Sequence, residues 1–181
     1  MPPGQSILRS WGDIFFAIFP DAEAGPRIAG LSSQLGLQGT AVLPHRLHVS
    51  LHWVGDHAAP AAVVDAAKSA AAAVDMPCFR IAFDRVQSFN GETKVPVVLA
   101  GGDELVGLLM LREMLVARLG HRAKPGFTPH LTFLYSDRHT PEIAIAPVSW
   151  IVREMALVQS LSGKHEYEFL ARFPLRKGAI G

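Results

Sequence analysis

Leu47-His48-Val49-Ser50-Leu51-His52-Trp53 and Pro129-His130-Leu131-Thr132-Phe133-Leu134-Tyr135 decide how this chain is read. Both stretches are short, and both carry His-x-Ser/Thr with apolar residues between. Length and composition make each a strand. Side chains on a strand alternate between faces. His48 and Ser50 therefore point one way while Val49 and Leu51 enter a core. His130 and Thr132 repeat the pattern against Leu131 and Phe133. Each strand offers an imidazole beside a hydroxyl on an otherwise apolar plank. Strict alternation also puts His52 on the face of His48 and Ser50, where it would line the same surface.

Working outward, the same order of elements leads into each stretch. Ile14–Phe19 is an apolar strand closed by Pro20, and a helix follows from Asp21, its N-cap, to about Leu35. Val95–Ala100 is a second apolar strand, followed by a helix from about Glu104 to Leu119 with a leucine stripe and Gly120 at its end. From Ile14 to His48 is 34 positions, and from Pro96 to His130 is again 34. Two β-α-β units of equal length imply two lobes related by a pseudo-twofold axis, with the histidine strands facing each other across it. Between the units lie an alanine-rich helix, Pro60–Val74, and a strand, Phe79–Phe89, ended by the hairpin signal Asn90-Gly91. A last pair of strands is expected over Val148–Leu157 and Tyr167–Phe173, bending at Leu161-Ser162-Gly163-Lys164.

Composition bounds the function. With 181 residues, 49% apolar and 18% charged, the chain is long and apolar enough for one domain over 1–181. A net charge of +1 argues against coating nucleic acid through charge alone, but leaves room for a local phosphate site. The single cysteine, Cys78, excludes an internal disulfide and a thiolate zinc site, and reads as a small core residue. His45, His48 and His52 have a spacing that suits a metal only on a helix, so no metal is expected. The N-terminus shows no signal peptide, and the apolar run Leu105–Leu119 is broken by Arg112, Glu113 and Arg118. A monomeric cytoplasmic protein with no membrane partner and no cofactor is the expectation.

The paired motif suits chemistry at phosphorus. Displacement at a phosphodiester needs a base to activate the nucleophile and an acid to protonate the leaving oxygen. Histidine can hold either state near neutral pH. The Ser50 and Thr132 hydroxyls can stabilise the non-bridging oxygens. One His-x-Ser/Thr alone would read as a satisfied core histidine; two at matching places in a repeat read as a site. Around them, Arg46, Arg122 and Lys124 could attract phosphate, although each suits a solvated surface. Trp53, Phe89 and Phe127 could stack a base, with Trp53 and Phe127 better suited to the core.

These residues resemble the 2H phosphoesterase superfamily, the LigT-like proteins also called 2′-5′ RNA ligases. Ile14–Ile18 resembles its opening strand, Leu47–Leu51 with Val54-Gly55 its first motif, and Phe127–Thr132 its second. Leu157–Ser160, Tyr167 and Phe173-Pro174-Leu175 resemble its closing hairpin. The resemblance implies an α+β fold of two lobes, with two antiparallel-rich sheets facing a central cleft and helices outside. It implies hydrolysis of an RNA or nucleoside 2′,3′-cyclic phosphate to a 2′-phosphate, with His48 as acid and His130 as base. Ser50 stands where the family more often has threonine, and Tyr135 where many members carry a basic residue. Possible substrate contacts are then His52, Tyr135, Phe127 and Arg46. Two other readings stay open: 2′-5′ RNA ligation by the reverse chemistry, and a non-catalytic RNA- or nucleotide-binding module.

Overall fold

The computed structural model describes residues 12–91, 93–122, 125–161 and 166–178. In chain order the elements are β1 (Ile14–Ile18), α1 (Ala24–Gln34), β2 (Thr40–Ala41), β3 (Val49–Gly55), α2 (Ala61–Ala72), β4 (Phe79–Ser88), β5 (Val95–Ala100), α3 (Val106–Arg118), β6 (Leu131–Ser136), β7 (Ile143–Val152), β8 (Glu154–Ser160) and β9 (Tyr167–Pro174). The strands run in the order β7-β4-β5-β6-β3-β1-β8-β9, with β2 on the flank of β6. Neighbours along this order are antiparallel.

The middle of that order is its weakest join. β3 and β6 share one ladder pair, Val49 with Leu131. The two sheets implied by the family resemblance are thus the two halves of one hydrogen-bonded sheet, four strands on each side of this seam. Outward from the seam each half repeats the same succession: the histidine strand, then the strand that opens its β-α-β unit, then two outer strands. That is the pseudo-twofold. The chain builds β1, α1 and β3, crosses after α2 to build β4 to β7, and returns at Arg153 to add β8 and β9 to the first half.

One face of the sheet carries the main core. Phe16, Ile18, Val49, Leu51, Ile81, Phe83, Leu99 and Leu131 are buried there against Ile28 and Leu31 of α1, Ala67 and Ala71 of α2, and Leu108, Leu111 and Leu115 of α3. Each fully buried large side chain of this kind contributes about 1.5–3 kcal/mol. A smaller cluster of Phe15, Ala17, Ala156 and Val158 lies apart from it, with Phe19 and Tyr167 packed on it. Buried in both clusters, β1 has no polar face, which is why Ile14–Ile18 is an unbroken apolar run.

Two sequence expectations change. The single strand expected over Val148–Leu157 is two strands, β7 and β8, divided at Arg153 where the chain changes halves. β7 also begins earlier, at Ile143, through Pro147. The regular helix α1 begins at Ala24, after a turn that Asp21 caps as an N-cap does: its carboxylate accepts hydrogen bonds from the Glu23 and Ala24 amides (3.1 and 2.8 Å) and its carbonyl from the Gly25 amide (3.0 Å). Pro26 then falls in the first turn, where a missing N–H costs nothing. The short β2 carried no sequence signal. It approaches β6 at Gly39, where a Cβ would lie 2.3 Å from the Tyr135 carbonyl oxygen. The bend at residues 162–164 and Lys124 lie outside the described residues.

Candidate active site

Val49 and Leu131 face each other at the seam and are fully buried. One step to either side, the pleat turns His48, Ser50, His130 and Thr132 to the opposite face, and all four are half-buried. The antiparallel register puts His48 across from Thr132 and Ser50 across from His130. The two histidines are diagonal neighbours, roughly 7–8 Å apart at ladder spacing. The four residues singled out from two distant stretches therefore meet, through a single backbone pair.

Both imidazoles are held by the same device. His48 Nδ1 lies 2.7 Å from the Arg46 carbonyl oxygen, and His130 Nδ1 lies 2.8 Å from that of Thr128. A carbonyl only accepts, so each Nδ1 carries the hydrogen and donates it. In the neutral ring Nε2 then bears the lone pair and is the atom that can take or give a proton. His48 Nε2 is 3.1 Å from Ser50 Oγ. The hydroxyl donates to the neutral ring and accepts from the imidazolium.

The surroundings of the rings differ. Tyr167 meets His48 edge-on, with centroids 5.3 Å apart, and its hydroxyl lies 3.4 Å from His48 Nδ1. Phe15 lies 5.3 Å from the same ring and Phe19 6.2 Å. The Arg46 guanidinium lies 4.8 Å over the Tyr167 ring and donates to its hydroxyl at 3.4 Å. Arg46 is thus a half-buried partner of Tyr167 rather than a loose surface charge. On the other side, Phe89 lies 4.7 Å from His130. Tyr167 was no site candidate in the sequence. Only the pairing of β8 with β9 brings it to a histidine 119 positions away. The ion pair of Arg85 with Asp84 sits on β4, where the hydrogen bond from Arg85 holds the Asp84 carboxyl below its ordinary range.

Two β-bulges decide the remaining side chains. Along β1, Ala17 pairs with Ser50 but Phe16 pairs with His52, leaving Leu51 as an extra residue. Along β5, Val98 pairs with Thr132 but Val97 pairs with Leu134, leaving Phe133 extra. Each bulge sits three residues after its histidine and consumes one step of the alternation. His52 consequently does not share the face of His48. It stands opposite Phe16 of the main core, and its ring lies 5.6 Å from His121, beyond α3. Trp53 takes the face that His52 was expected to hold. It is 59% exposed rather than a core residue. Tyr135 is carried by its own bulge onto the face of Thr132, paired with Pro96, and is 42% exposed. Phe127 is half-buried, with the Arg112 guanidinium 4.3 Å over its ring. That guanidinium donates to the Leu51 carbonyl at 3.1 Å, so the pair braces the first bulge. Among the described residues, no three His, Cys, Asp or Glu side chains gather as a metal site requires.

A family model described as the 2′-5′ RNA ligase superfamily matches residues 19–164. Among solved structures, E. coli LigT complexed with phosphate has a TM-score of 0.73 and 24% identity, over 92% of this chain and 98% of that one. TT0787 of Thermus thermophilus has a TM-score of 0.72 and 22% identity, over 91% of this chain and 98% of that one. A protein described as a phosphoesterase has a TM-score of 0.71 and 23% identity, over 92% of this chain and 99% of that one. At these identities the structural likeness speaks for the fold. No curated protein matches the chain.

Proposed function

The chain belongs to the 2′-5′ RNA ligase superfamily, the 2H phosphoesterases, and from that premise we propose that it opens a 2′,3′-cyclic phosphate, on an RNA end or a nucleoside, to a 2′-phosphate. The observation that carries the reading is the matched pair of Nδ1–H···O=C bonds at His48 and His130. Both rings are locked in one tautomer with Nε2 as the working atom, on one face of the seam, beside Ser50 and Thr132.

In this scheme water attacks phosphorus while His130 Nε2 takes its proton. The bond from phosphorus to O3′ breaks as O3′ receives the proton of His48 Nε2. Water thus ends as one phosphate oxygen, and the next turnover requires a proton to pass from His130 back to His48 through solvent. The Ser50 and Thr132 hydroxyls donate to the non-bridging oxygens, where charge accumulates. The proton traffic runs between two imidazoles and calls for no cofactor. E. coli LigT has been crystallised with phosphate and with 3′-AMP, in keeping with a site for a nucleotide phosphate. We read the whole chain as one domain of two lobes, each grown from a β-α-β unit. No helix among the described residues is long and apolar enough to cross a membrane, and we place the protein in the cytoplasm as a monomer. The test is incubation with a 2′,3′-cyclic mononucleotide and chromatography of the product. Accumulation of the 2′-phosphate is expected; absence of turnover across pH 5–9 sinks the proposal.

A further inference from the structure

The bulges at Leu51 and Phe133 do more than displace His52. They put an aromatic ring at the same place in each half: Trp53 beyond Ser50, and Tyr135 beyond Thr132. Single exposed aromatics are ordinary on a protein surface. These two sit at sister positions, on the face of the histidines, 59% and 42% exposed. The backbone beneath each is fixed, Trp53 by Phe15 on β1, and Tyr135 by Thr40 on β2 and Pro96 on β5.

The register of the seam orders them. Ser50 stands across from His130, so Trp53 lies beyond the His130 end. Thr132 stands across from His48, so Tyr135 lies beyond the His48 end. Along the seam the sequence of groups is Trp53, then Ser50 with His130, then Thr132 with His48, then Tyr135. At strand rise the two aromatic positions are roughly 20 Å apart. Bases stacked on each other in a strand are separated by only roughly 3.4 Å. One stacked pair cannot reach both rings, whereas two bases splayed to either side of a central phosphate can. Unstacked bases laid on aromatic side chains are the usual way a protein holds single-stranded RNA.

We propose that Trp53 and Tyr135 are paired stacking platforms for the two nucleobases flanking one phosphate, so that the site takes a two-nucleoside phosphodiester unit. This deepens the phosphodiesterase reading and rests on it. The nucleoside whose oxygen leaves lies toward His48 and Tyr135. The second lies toward His130 and Trp53, on the side from which water attacks in the simpler reaction.

The experiment is calorimetric titration of the full chain with two uncleavable probes: the 2′-O-methyl dinucleotide ApA, and adenosine 3′-monophosphate. The dinucleotide is expected to bind about 5–100-fold more tightly than the mononucleotide, the range that loss of one stacked base produces. Trp53→Ala and Tyr135→Ala should each bring the dinucleotide to the mononucleotide level, while Trp53→Phe and Tyr135→Phe retain most of the advantage. Binding should quench the tryptophan emission of the wild-type chain and not that of Trp53→Phe. Equal affinity for the two probes, or alanine variants without effect on the dinucleotide, overturns the platforms and leaves cyclic-phosphate hydrolysis standing. If a 2′,3′-cyclic mononucleotide is not turned over and neither probe binds, the phosphodiesterase reading has failed and the platforms with it.

Discussion

Asparagine at position 130 separates catalysis from folding. The Nδ1–H of His130 donates to the Thr128 carbonyl over 2.8 Å. An asparagine amide can donate from nearly the same place, so His130→Asn retains the anchor and removes Nε2. Even if that bond is not remade, its loss costs about 0.5–1.5 kcal/mol. The stability of a domain is about 5–15 kcal/mol, so the variant should stay folded. Loss of a positioned general base costs about 10²–10⁴ in rate, or about 2.7–5.4 kcal/mol of barrier. The same reasoning holds for His48→Asn, which keeps a donor toward the Arg46 carbonyl and loses the Nε2 contact with Ser50. The assay is the single-turnover rate on a 2′,3′-cyclic mononucleotide, with a thermal melt of the same preparations. The wild-type rate should be bell-shaped in pH. A base works deprotonated, so the rate rises with pH through its titration; an acid works protonated, so the rate falls as pH rises through its own. His130→Asn should therefore lose the acidic limb and His48→Asn the alkaline limb. The double variant should fall little below either single one, because the two groups act in one proton relay. A wild-type rate in either asparagine variant refutes the two-imidazole mechanism.

Two further outcomes follow from the geometry. Thr132→Val, which removes a hydroxyl while keeping its shape, should lower kcat about 10²–10³-fold, and Thr132→Ser should restore most of it, as measured on the same substrate. Gly107 lies in α3, where alanine would ordinarily stabilise by about 0.5–1 kcal/mol. Here the added Cβ would meet Phe79 Cδ2 at 2.3 Å and Cε2 at 2.7 Å. Gly107→Ala should instead destabilise by about 1–3 kcal/mol in a denaturant titration, and an increase in stability would show that the Phe79 ring yields.

The placing of the candidate site was legible because it is local. Val49 and Leu131 are apolar between polar neighbours, and that pattern alone turns His48, Ser50, His130 and Thr132 to a common face. The equal spacing of the two β-α-β units then predicted that the faces meet. Tyr167 and its Arg46 partner were not legible as a pair, because the contact depends on β8 and β9 returning to the first half. That return is the division at Arg153, where two strands in different halves read as one because only that residue lies between their ends.

His52 and Trp53 failed for a different reason. A bulge keeps every residue type in place and alters only which of them pair, so neither composition nor periodicity registers it. Leu51 and Phe133 are buried, as an inward residue should be, and the residues after them are misassigned by one step. The two bulges have to occur together to preserve the relation between the halves. A bulge in β3 alone would turn Trp53 to the histidine face, leave Tyr135 and its hydroxyl on the core face and turn Leu134 out of the core. With both present, an aromatic ring stands outside each imidazole, and the core beneath receives Leu134 on one side and the smaller, polar His52 on the other. The polar exception is tolerated because His52 lies only half-buried, against His121. The interruption of alternation at these two places is therefore what gives the site its width along the seam. Two flat strands would present the imidazoles and hydroxyls equally well and would turn both aromatic rings into the core.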